Sequence, residues 1–76
     1  MPGPLDKNLK QEISKAFKLH GYQLKIEASR HLEALLNPIK DRTRWIEKIL
    51  DTLAKKDLDS ALLDKNILDK IIKVIV

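Results

Sequence analysis

The chain has no cysteine, which rules out a disulfide scaffold and a thiolate metal site. It has one phenylalanine, one tyrosine and one tryptophan in 76 residues, so its core must be mostly leucine and isoleucine. Two glycines and three prolines are too few for a turn-rich β fold. No apolar run approaches the roughly 20 residues of a membrane-spanning helix. The opening stretch, MPGPLDKN, lacks the apolar core of a signal peptide. No glycine-rich phosphate loop, no Gly-Lys-Ser/Thr and no Gly-x-Ser-x-Gly occurs.

What is present is an ordinary apolar fraction, 43%, with a high charged fraction, 34%. That balance fits one small folded domain and argues against disorder over the bulk of the chain. A chain of this length buries only about 60% of its unfolded surface, so its stability is expected to be modest. The net charge is +4, and the excess sits early. Up to Lys25 there are five lysines against Asp6 and Glu12, whereas the rest of the chain is close to balanced. A basic patch attracts nucleic acid or an acidic partner, and a solvated lysine face is the plainer reading.

Hydrophobic spacing predicts four helices. Residues 1–5 hold two prolines and a glycine ahead of any periodicity and are expected to be disordered or foreign to the native chain. Residues 6–76 form the predicted single helical domain. Leu5, Leu9, Ile13, Ala16, Phe17 and His20 share one face of a first helix, about Asp6 to His20, and Asp6 suits its positive end. Gly21 is placed to end it in the left-handed conformation. Tyr22 to Ile26 alternates apolar and polar, the strand period. A second helix follows, about Glu27 to Leu36, with Ala28, Leu32, Leu35 and Leu36 inward, and Pro38 ends it. Asp41 is the predicted N-cap of a third helix, about Arg42 to Lys56, with Ile46, Ile49, Leu50 and Leu53 inward and Trp45 at the stripe's edge.

Ser60 to Leu63 is the other short candidate strand and the natural partner for Gln23 to Lys25. Asp64 caps the predicted fourth helix, which carries Ile67, Leu68, Ile71, Ile72, Ile75 and Val76. Its apolar arc is wide, so it is expected to be the most buried helix. The chain ends in mid-pattern at Val76, which suggests a piece of a longer protein. The resulting fold class is mainly α: two helical hairpins with two very short strands between. Strands separated by helices in this way are expected to run parallel.

Reactive residues are sparse. His20 and His31 do not stand at the spacing of a helical zinc pair. The carboxylates interleave with lysines, as on solvated helix faces. No catalytic residue, metal site, cofactor or small-molecule substrate is implied. The candidate contact residues are Lys7, Lys15 and Lys18 on the first helix, and Arg42, Arg44 and Trp45 at the start of the third. The cations suit phosphates or acidic side chains. Trp45 suits an interface anchor, or simply closes the core. Two function classes stay open on these residues: a protein-docking module, and a nucleic-acid-binding helical module using the basic first helix.

The run Phe17-Lys18-Leu19-His20-Gly21, then Tyr22 to Leu24, then Glu27-Ala28 with Leu32 and Leu36, resembles the N-terminal domain of the B subunit of DNA polymerase epsilon. The later stretch, KIL…TLAKKDLDSALLDKNILDKII, fits the same family, so the resemblance spans about Leu9 to Val76. It implies a fold like the C-terminal lid domain of AAA+ ATPases, without ATP hydrolysis. It also implies a non-catalytic, nuclear accessory role in DNA replication. The implied partners are the replicative helicase, through the GINS complex, and the other polymerase subunits. A weak DNA contact stays open beside them. No motif carries the contact residues over.

Overall fold

A computed structural model of the chain describes residues 7–56 and 62–76, without the side chain of Lys7. The elements run α1 (Lys7–Leu19), β1 (Gln23–Leu24), α2 (Ile26–Leu36), α3 (Arg42–Lys55), β2 (Leu62–Leu63) and α4 (Lys65–Ile75). The expectations for residues 1–6, and for Ser60 and Ala61, lie outside the described residues.

α1 forms because Leu9, Ile13 and Phe17 recur at four-residue steps and all three bury almost completely. Its end is a Schellman motif. The N–H of Tyr22 donates to the carbonyl of Phe17 at 2.8 Å, and that of Gly21 to Lys18 at 2.9 Å. The geometry needs a left-handed residue, and Gly21 supplies it with φ +82°. His20 therefore leaves the inner face assigned to it. It is exposed, and its Nδ1 lies 3.0 Å from the carbonyl oxygen of Ala16.

β1 and β2 pair in parallel, Gln23 with Leu62 and Leu24 with Leu63. The strand is shorter than the alternation from Tyr22 to Ile26 predicts. Lys25 already flanks α2, and Ile26 opens that helix while 73% exposed. One bond continues the ladder past β1, from the N–H of Lys25 to the carbonyl of Leu63 at 2.9 Å.

The core joins all six elements: Leu9, Ile13 and Phe17 meet Ala28, Leu32 and Leu36 of α2 and Ile46, Ile49, Leu50 and Leu53 of α3. Leu63, Leu68 and Ile71 complete it, and Leu24 of β1 packs against it half-buried. α1 packs on α2, α3 on α4, and α2 also packs on α4. Each fully buried leucine or isoleucine contributes about 1.5–3 kcal/mol of apolar transfer.

Three local expectations fail. Asp41 precedes α3 at φ −101°, ψ 48°, outside the extended range a capping side chain uses, and makes no side-chain cap bond. Asp64, by contrast, caps α4 as expected: it is extended, and its Oδ1 accepts from the N–H of Ile67 at 2.9 Å. α4 is not the most buried helix. Only Leu68 and Ile71 bury fully there, against four residues of α3. Ile67, Ile72 and Ile75 pack partly buried against the core, and Ile72 and Val76 also line a groove. Leu35 of the predicted α2 stripe is likewise exposed, and Glu33, on another side of the helix, is buried instead, its carboxylate accepting from Ser29 Oγ at 3.4 Å.

Candidate interaction surface

The six candidate residues do not form one patch. Lys7 opens α1. Lys15 and Lys18 project from α1 into solvent beside Leu19. Arg44 is exposed on α3. Arg42 is already paired at the surface. Its Nε and Nη2 donate to the two carboxylate oxygens of Glu12, each at 3.1 Å, and so fasten the start of α3 to α1. The paired fork fits a planar guanidinium and a carboxylate, and it removes Arg42 from the set of cations free to meet a phosphate.

Trp45 is half-buried against the core. The ammonium of Lys48 lies 5.2 Å from its ring centroid, one helical turn on. With Leu32, Leu36, Ile39, Ile49 and Ile72 it lines an apolar groove of about 100 Å³ between α2, α3 and α4. Val76, after the end of α4, lines it too.

A second groove, of about 340 Å³, runs between α1 and α3. Ala16, Leu19, Ile46 and Leu50 form its apolar part, and Glu12, Lys15, Thr43 and Glu47 its polar rim. Leu19 is 86% exposed at the end of α1. Leu19 was missed as a candidate because it precedes the Gly21 joint and reads as part of the cap. Its signal was visible, for a large apolar residue stands off the Leu9–Ile13–Phe17 stripe, directly after Lys18 and one turn on from Lys15. Single exposed leucines are common, so the groove beside it and the flanking charges give it weight.

His31 and Asp69 link α2 to α4, with Nε2 2.6 Å from Oδ1. Among the described residues no cluster of three or more His, Asp or Glu could hold a metal ion. No helix among them is long and apolar enough to cross a membrane.

Fold and surface together define a small helical module that presents two apolar grooves and a lysine-bearing helix. The chain belongs to the family of DNA polymerase epsilon N-terminal domains, whose sequence model matches residues 5–75. No curated protein matches it. Membership bears out the resemblance to the N-terminal domain of the B subunit, and it assigns the chain to DNA polymerase epsilon and hence to DNA replication.

Proposed function

We propose that this is a non-catalytic docking domain of the polymerase epsilon accessory subunit, which tethers the polymerase in the nucleus to the replicative helicase through the GINS complex. Residues 6–76 act as one domain of a longer chain in this reading. Family membership supports the accessory role. The observation that carries docking is Leu19, 86% exposed at an apolar groove and flanked by Lys15 and Lys18. An apolar anchor ringed by charge suits a reversible protein contact. Tethering would raise the local polymerase concentration to about the millimolar range without any chemistry in the domain itself.

Binding of the chain to purified GINS, measured by calorimetry, tests this. Leu19→Glu should weaken binding by about tenfold or more while the circular dichroism spectrum stays unchanged. Failure of the unmodified chain to bind GINS overturns the reading. Binding to single-stranded or duplex DNA, weakening steeply with salt, would favour the nucleic-acid module in its place. Arg42 argues against that alternative, because its guanidinium is already engaged by Glu12.

A further inference from the structure

β1 has a second edge. In a parallel pair each residue turns its N–H and C=O to one side, and neighbours along the strand alternate. The register of Leu24 with Leu63, and the bond from Lys25 N–H to the Leu63 carbonyl, fix the side each residue faces. Gln23 and Lys25 turn toward β2. The N–H and C=O of Leu24 therefore turn away from it, and neither has a hydrogen-bond partner among the described residues.

Leu24 also lines a cleft of about 270 Å³ between α1 and the start of α2. The face of α1 that meets it carries Lys10, Ser14 and Lys18, and Ser29 closes the α2 side. This is a different face of α1 from the one beside α3. Lys10 and Lys18 are exposed and have no ion-pair partner among the described residues. A strand edge with one donor and one acceptor thus lies next to two ammonium groups that pair with no described residue and next to the hydroxyls of Ser14 and Ser29.

We infer that this edge takes an extended acidic peptide segment of a partner protein, which pairs its main chain with Leu24 and sets carboxylates against Lys10 and Lys18. The backbone of Leu24 supplies the register. The lysines supply the preference for acidic side chains; Ser14 can donate or accept, while Ser29, whose proton goes to Glu33, can accept. Strand addition to an exposed edge is a general mode of peptide capture, in which main-chain bonds give affinity and flanking groups give specificity. An edge this short cannot hold a long strand, so the contact is small and depends on its charges. The inference goes beyond the docking proposed at Leu19 and does not need GINS as the partner.

The test uses the ¹⁵N-labelled chain and a fluorescein-labelled peptide of alternating glutamate and valine. The peptide should move the Leu24 amide resonance and slow its hydrogen exchange. Lys10→Glu should weaken binding by about tenfold or more and Lys10→Gln by less, with the rest of the spectrum retained. A peptide with lysine in place of glutamate, and an N-methylated peptide that cannot pair, should both fail. An unmoved Leu24 amide at saturation, or equal binding of the N-methylated peptide, overturns the inference. So does a single-stranded oligonucleotide that moves Leu24 where the acidic peptide does not.

Discussion

Arg42 and Glu12, 30 positions apart in sequence, are joined by two hydrogen bonds of 3.1 Å, and through them α3 is fastened to α1. The Arg42 side chain is only 22% exposed, which shields the pair partly from solvent. A double-mutant cycle on Arg42→Ala and Glu12→Ala should give a coupling of about 0.5–1 kcal/mol, smaller at high salt. Arg42→Lys should recover less than half of it, because an ammonium cannot make the paired fork. Denaturant unfolding checks both.

Gly21 sits at φ +82°, and a Cβ built on it would meet nothing within 4 Å. The cost of a side chain there is thus a backbone cost alone. Gly21→Ala should lose about 1 kcal/mol and Gly21→Val more, while Gly21→Asn should lose less than either. Equal melting temperatures across the series would show that the joint tolerates another conformation.

Asp64 and Asp41 stand at equivalent places before α4 and α3, but only Asp64 caps with its side chain. Asp64→Ala should cost about 0.5–2 kcal/mol. Asp41→Ala should stay within about 0.5 kcal/mol of the unmodified chain. Thermal unfolding of the two variants side by side decides it.

Phe17 and Leu19 are two residues apart and opposite in burial, 1% and 86% exposed. Phe17→Ala should cost about 3–5 kcal/mol, a large share of the stability of so small a domain. Leu19→Glu should change stability by no more than about 0.5 kcal/mol. A large destabilisation by Leu19→Glu would mean that this leucine serves the fold and not a partner.

The helices were legible because each buries one face, and spacing alone exposes such a face. Ile46, Ile49, Leu50 and Leu53 were named from periodicity and are all buried. The parallel pairing was legible too, from two short apolar stretches with helices between. What escaped was long-range or conformational. The partner of Arg42 lies on another helix, so its charge read as free. Asp41 has the right side chain for a cap on the wrong backbone. A wide apolar arc on α4 says that its residues avoid water, but not that this chain alone covers them. Residue type announced the lysines of the candidate surface. The turned-out backbone of Leu24 needed the strand register.

The pairing of β1 with β2 has a kinetic meaning. All of α2 and α3 lies inside the loop that it closes, whereas α1 on α2 and α3 on α4 are near neighbours in sequence. Closing the larger loop costs more chain entropy, so the two halves should gain structure before the strands meet. The amide of Lys25, held by the Leu63 carbonyl, then exchanges with solvent when the halves part, and its protection measures how firmly the first half of the chain holds the second.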